Sequence, residues 1–421
     1  MGPRRVGKTV MLQQVVAELI SEGFPRLNIF FASIDTPIYS GMRLDELLAL
    51  FAEETFCKSD GRRVVIFDEI QYLKDWEVHL KVLTDKFPNT RFIASGSAAA
   101  ALRLKSQESG AGRFTDFFLP PLTFSEFLNF SDMEYRLIQP DGGGSPRRFK
   151  TDQIDILNRY FLDYLNFGGF PEAVLNPEIQ KDTSRYLGRD IIDKVLLRDL
   201  PSLYGIQDIQ ELNRLFMKIA YHSGQEISLE GLSSSSGIAK NTIKRYLEYL
   251  EAAFLIVRVR RVDDNGRTFQ RERNFKAYLT NPSMRAALFA PLVEDDEAMG
   301  SMAETAIFSQ WFHSPEMANL HYARWKQGRT DLEVDLVKVD NAKLKPTWAY
   351  EIKWSDRFVD QPGELKGLVA FAKKAGGNMP VAASTKTKSS HSMIDGVSIT
   401  HFPCALHCYQ VGKNVSEGLP A

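Results

Sequence analysis

The first nine residues hold the clearest chemistry in the chain. Gly2-Pro3-Arg4-Arg5-Val6-Gly7-Lys8-Thr9 has glycines in first and sixth place and Lys-Thr directly after. That spacing lets backbone N–H groups curl around phosphate oxygens. Lys8 is then expected to reach the β- and γ-phosphates, and the Thr9 hydroxyl to bind Mg²⁺. A helix is predicted from Met11 to Ile20, with Leu12, Val15, Val16 and Leu19 on one face, and its positive dipole end points at the same phosphates. The second half is Arg62-Arg63-Val64-Val65-Ile66-Phe67-Asp68-Glu69, an apolar strand ending in two carboxylates. Asp68 is expected to hold the Mg²⁺ of a nucleotide, and Glu69 to activate the attacking water as general base. ATP and Mg²⁺ are the implied ligands and hydrolysis the implied reaction.

Two weaker candidates follow. The strand Arg91-Phe92-Ile93-Ala94 runs into Ser95-Gly96-Ser97, where Ser97 is placed to sense a γ-phosphate, the competing reading being a plain glycine turn. Arg113 follows Gly110-Ala111-Gly112 and suits either an arginine finger or a solvated loop.

A different constellation lies near the C-terminus. Glu333 and Asp335 alternate with Leu332, Val334 and Leu336, so they share one strand face. Glu351 and Lys353 share a face opposite Tyr350, Ile352 and Trp354. Carboxylates on adjacent strands can hold a divalent metal while a lysine orients water or stabilises phosphate. Asp335 and Glu351 are the candidate metal ligands, Lys353 the accompanying lysine, and Glu304 on a preceding helix the completing residue. Polar strand faces, or a retained fold without activity, are the alternatives. Cys404, His407 and Cys408 with His401 upstream lack a second ligand pair at zinc spacing and read as structural.

The chain has 421 residues and a formal net charge of −1, so nucleic-acid binding would need a local patch. Between Lys240 and Lys276 there are ten basic and five acidic residues, a local charge of +5. Ile227 to Leu250 reads as helix, turn, helix. Phe254–Val262 and Asn274–Leu279 then read as a ribbon through Asp263-Asp264-Asn265-Gly266, the order of a winged helix. Lys240, Lys244 and Arg245 fall on the candidate recognition helix, and Arg258, Arg260 and Arg261 on or near the wing. The same pattern suits a protein-docking module. Three scattered cysteines argue against a disulfide framework and fit a reducing cytoplasm. No run of about 20 apolar residues is present to span a membrane, and the N-terminus is not a signal peptide.

Alternating strands and helices before residue 140 predict a parallel α/β sheet, with strands at Asn28–Ser33, Val64–Phe67 and Arg91–Ala94. Asp141 to Pro146 reads as a linker. The expected domains are 1–140, a nucleotide-binding core; 141–204, a helical lid; 205–280, a winged helix; and 281–421, an α/β domain with nuclease-like carboxylates. A phosphate-binding loop usually follows a strand. None precedes Gly2, so the native protein is expected to begin upstream.

Gly2–Thr9, Ile66–Gln71, Ser95–Ser97, Pro121–Phe127, Gly168–Glu172 and Tyr350–Trp354 together resemble the bacterial and archaeal AAA-type ATPase family with a C-terminal domain of unknown function that looks nuclease-like. The resemblance implies an AAA-type core, then a winged helix, then a PD-(D/E)xK-like domain. Asn281 departs from it, since aspartate is commoner before that proline. The expected activity is ATP hydrolysis used as a switch, coupled to DNA binding or processing. The alternative is a regulatory protein whose C-terminal part docks a protein partner, or a second copy, without nuclease activity.

Overall fold

The computed structural model describes the chain except residues 40, 56–60, 97–113, 143, 145, 268–273, 341, 378 and 421. It forms two compact units. The first contains Met1–Pro120 with the short returns Arg198–Ile206 and Ala252–Phe254; the second holds the rest.

In the first unit the elements are α1 (Lys8–Ser21), β1 (Ile29–Ser33), α2 (Leu44–Thr55), β2 (Arg63–Asp68), α3 (Trp76–Lys86) and β3 (Thr90–Ala94). The strands form a parallel sheet in the order β1-β2-β3. β2 is buried along its whole length. Its side chains alternate between two cores, as the pleat requires. Val64 and Ile66 pack with Leu12, Val16 and Leu19 of α1. Val65 and Phe67 pack with Leu44, Leu47, Trp76 and Leu80 of α2 and α3. A sheet covered on both faces is the normal setting for parallel strands, and it brings the C-terminal end of β2 beside the start of α1.

The second unit carries α4 (Phe124–Phe130), α5 (Ile154–Phe167), α6 (Ile209–Tyr221), β4 (Glu226–Ser228), α7 (Leu229–Ser236), α8 (Lys240–Ala252), β5 (Ile256–Val262) and β6 (Asn274–Leu279). It continues with α9 (Met299–Gln310), β7 (Leu320–Gln327), β8 (Thr330–Asp340), β9 (Lys345–Glu351), α10 (Lys366–Lys374), β10 (Val381–Thr385), β11 (Ser390–Ile394), β12 (Val397–Pro403) and α11 (Cys404–Ser416). Among the described residues, nine of its strands form one mixed sheet in the order β11-β12-β10-β9-β8-β7-β5-β6-β4. Helices α4, α5, α9 and α11 cover one face, through Phe124, Phe161, Phe308 and Tyr409 against Tyr278, Tyr322 and Leu336. Helix α10 covers the other, through Leu368, Phe371 and Ala372 against Val262, Val334 and Val337.

The compact units divide the chain differently from the expected domains. The nucleotide-binding core is expected over 1–140; the first compact unit takes Met1–Pro120 of this stretch, together with Arg198–Ile206 and Ala252–Phe254. On either side of the expected linker, Gln139–Pro140 pairs with Phe149–Lys150 within the second unit. The expected boundary at 280/281 falls inside a unit, because β5 pairs in parallel with β7 and draws the β5–β6 ribbon into the same sheet as β8 and β9.

Smaller features agree with the sequence. Thr123 and Glu126 form the expected capping box at the start of α4. Asn281 is fully buried and its Oδ1 accepts from the Ser283 N–H at 2.9 Å. An amide holds this turn as well as a carboxylate would, without burying a charge. Among the described residues no helix is long and apolar enough to cross a membrane.

Candidate functional site

The phosphate-binding loop leaves Met1 and ends at α1. A Cβ on Gly2 would lie 2.1 Å from the Leu119 carbonyl oxygen, so only glycine fits this approach. Gly7 has φ 97°, which turns the chain into the helix. Lys8 is 5% exposed, and its ammonium donates to the carbonyls of Gly2 at 3.2 Å and Pro3 at 2.5 Å. Burial pushes its pKa down to about 8, opposed by the carboxylates of Glu69 and Asp68.

One residue on, the Thr9 hydroxyl donates to Asp68 Oδ2 at 2.6 Å. The other oxygen of Asp68 accepts from the Ser95 hydroxyl, and from the Glu69 N–H at 3.1 Å. The loop and the end of β2 are thereby joined, although 59 residues separate them in sequence. Glu69 adopts a left-handed conformation, φ 53°, and Gln71 Nε2 donates to its Oε2 at 2.5 Å. Such backbone strain is common where a side chain must be aimed. Arg4 is pinned from the side: its guanidinium meets Asp199 in a fork, at 2.7 and 2.8 Å, and donates to the Tyr72 hydroxyl at 3.3 Å.

This donor set fits Mg²⁺ and a polyphosphate. Thr9 and Asp68 supply hard oxygens side by side, and Mg²⁺ is characteristically held by one or two protein oxygens plus phosphates and water. Lys8 and the start of α1 supply positive charge next to them. Pro3, Arg5 and Val6 complete the loop. Ser97 and Arg113 lie outside the described residues. Ser95, Gln71 and Asp199 were not anticipated. For Ser95 the signal was present, since it is the first hydroxyl after β3; spacing alone did not tell which serine of Ser95-Gly96-Ser97 faces Asp68. Nothing in the sequence pointed to Asp199.

The second unit brings Glu304, Asp335, Glu351 and Lys353 together, and adds two residues that the sequence pattern assigns to the ribbon. Lys276, counted with the basic ribbon, is 2% exposed and sits among the carboxylates. Its ammonium lies 2.8 Å from Glu304, 2.6 Å from Glu333 and 3.4 Å from Asp335. Tyr278 donates to Glu304 at 2.5 Å. Lys353 lies 3.2 Å from Asp335 and 2.7 Å from Glu351. The β8–β7 register shifts between Val334 and Val337, so the even alternation expected along β8 breaks: Val334 joins one core and Leu336 the other. A bulge of this kind re-aims the side chain beside it, here Asp335. Burial pushes Glu304 and Glu351 up to about 7. Burial acts the same way on Asp335, but Lys353 and Lys276 outweigh it and hold its pKa below the ordinary value. Among the described residues no group of three or more His, Cys, Asp and Glu side chains is arranged to hold a metal ion.

The basic strip is partly consumed by internal pairs. Lys240 pairs with Glu230 at 2.9 Å. Arg258 pairs with Glu251 at 2.5 Å, and Arg261 lies 3.8 Å from Glu226. Lys244 and Arg245 remain exposed on α8. Cys404 and Cys408 are free and buried on α11. Between them in sequence, the His407 ring packs 4.4 Å from Tyr350, and burial pushes its pKa down to about 4.

Residues 1–128 match the family described as an AAA domain. Together with the loop and strand-end geometry, this supports an AAA-type P-loop domain at the N-terminus and suggests nucleotide binding. A second match, residues 158–295, is to a domain of unknown function. It falls in the middle of the chain and does not show a nuclease-like domain at the C-terminus. Over 289 residues the chain is 25% identical to an uncharacterized protein of Haemophilus influenzae, covering 68% of this chain and 67% of that one. It is 26% identical over 260 residues to one of Methanocaldococcus jannaschii, covering 61% and 54%. It is 26% identical over 257 residues to one of Mycobacterium tuberculosis, covering 61% and 47%. The chain thus spans about half to two thirds of the length of these relatives.

Proposed function

We propose that this chain binds ATP and hydrolyses it slowly, as a switch. The observation that carries the reading is the Thr9–Asp68 hydrogen bond at 2.6 Å, which joins the phosphate loop to the acidic strand end. The loop N–H groups and Lys8 hold the triphosphate. Thr9 and Asp68 would hold Mg²⁺, which when bound neutralises charge on the phosphates. Glu69, aimed by its left-handed backbone and held by Gln71, takes the proton of the attacking water. Ser95 keeps Asp68 in place. Ser97 as γ-phosphate sensor and Arg113 as arginine finger complete the proposal. The test is Mg²⁺-dependent phosphate release from ATP by the full chain beside its Asp68→Asn variant. Turnover that is lost in the variant is expected; equal turnover in both sinks the reading.

A second reading concerns output. The order α6, β4, α7, α8, β5, β6 is that of a winged helix, and exposed Lys244 and Arg245 on its third helix favour contact with duplex DNA. Binding should weaken with salt, and Lys244→Ala/Arg245→Ala should reduce the log–log salt slope by about 1.8, two phosphate contacts' worth. No binding at low salt would instead favour docking of a protein partner.

A further inference from the structure

We propose that the carboxylate cluster of the second unit is a lysine-filled ion-pair lock closed to divalent cations, with Lys276 Nζ in the central place among Glu304, Glu333 and Asp335. Sequence motif alone suggests a metal-assisted nuclease site, but the residues present do not fit a metal.

The oxygens a cation would need are already engaged. Asp335 gives Oδ1 to Lys276 at 3.4 Å, and Oδ2 to Lys353 at 3.2 Å and the Ile352 N–H at 2.9 Å. Glu304 Oε1 accepts from Lys276 at 2.8 Å and from Tyr278. Glu333 gives Oε1 to Lys276 at 2.6 Å, with Arg324 3.7 Å from Oε2. Glu351 Oε1 faces Lys353 at 2.7 Å, and its Oε2 is buried without a hydrogen-bond partner. That oxygen and Glu304 Oε2, the two left unengaged among the described residues of the cluster, fall short of the set of oxygens at roughly 2.0–2.6 Å that Mg²⁺ or Ca²⁺ requires.

Lys276 cannot simply swing out. It is 2% exposed, and its ammonium also lies 5.4 Å from the centre of the Tyr322 ring. Leaving would take the ammonium from three carboxylates, two of them, Glu304 and Asp335, buried, and unpaired buried charge is costly. Four carboxylates against two ammoniums and the Arg324 guanidinium still leave an excess of negative charge. The cluster can shed it by holding protons, since burial raises both Glu304 and Glu351 to about 7. The lock also has a structural role. Lys276 is on β6, Glu304 on α9, and Glu333 and Asp335 on β8, so one ammonium knits the expected winged-helix ribbon to a strand of the expected nuclease-like domain.

The test is a Mn²⁺ titration of the full chain without nucleotide, in an Asp68→Asn background that silences the nucleotide site. We expect the same isotherm with and without Asp335→Asn, and no shift of the melting temperature by millimolar Mn²⁺. A Mn²⁺ site that disappears with Asp335→Asn, or Mn²⁺-dependent DNA cleavage lost in Glu351→Gln, overturns the proposal. A second measurement addresses Lys276 itself. Lys276→Met is expected to lower the melting temperature, and adding Glu304→Gln to recover part of that loss. A double variant less stable than Lys276→Met alone contradicts the lock.

Discussion

Replacing Lys8 by alanine is expected to lower ATP turnover by on the order of 10²- to 10³-fold, the loss typical when one preorganised donor to developing charge is removed. The geometry sets Lys8 apart. Lys8 is 5% exposed and enclosed by the loop carbonyls of Gly2 and Pro3, whereas Arg4 is held by Asp199. Lys8→Ala also removes a buried charge whose pKa burial has already pushed down to about 8, so unit stability should fall little. Phosphate release under saturating Mg²⁺, with far-UV circular dichroism as a folding control, decides the matter. A folded variant keeping more than about a tenth of the wild-type rate would place the phosphate-binding cation elsewhere.

The parts of the site that could be read in sequence are those set by local chemistry. The glycine spacing of the loop, the apolar run before Asp68 and the capping box at Thr123 each lie within a few residues of what they act on. The parts that escaped join distant segments. Asp199 meets Arg4 across 195 residues. Lys276 meets Asp335 across 59. A count of basic residues between Lys240 and Lys276 treats them alike, yet burial divides them: Lys276 turns into a charged core, Arg258 pairs with Glu251, and Lys244 and Arg245 face solvent. The same holds for β8. Simple alternation places Leu332, Val334 and Leu336 on one face, but an extra residue near Asp335 changes the phase, and single-residue bulges leave no periodic trace. The position of 280/281 inside one unit has a related cause. A β-ribbon read as a wing has a second edge, and that edge is paired with β7.

Arg4 offers a test of how firmly the phosphate loop is braced. Its guanidinium and the Asp199 carboxylate form a two-point contact with side-chain exposures of 19% and 12%. Forked Arg–carboxylate pairs fix orientation as well as supply energy. Arg4→Ala removes the brace and leaves a mostly buried carboxylate unpaired beside the loop. Losing one partner of a buried pair costs about 3–5 kcal/mol, and residual exposure of both groups puts this case at about 2–3 kcal/mol. The stranded negative charge also repels a triphosphate, so nucleotide affinity should fall about tenfold or more, equivalent to about 1.4 kcal/mol. Asp199→Ala in the same background removes that charge, and the double variant should be more stable and bind nucleotide more tightly than Arg4→Ala. Denaturant unfolding and nucleotide titration of all four proteins give the coupling, for which about 1–3 kcal/mol is expected between directly bonded partners. Strictly additive effects would mean that the loop holds its shape without Asp199, and that its order comes from Gly2 seated against Leu119 and Lys8 inside the turn.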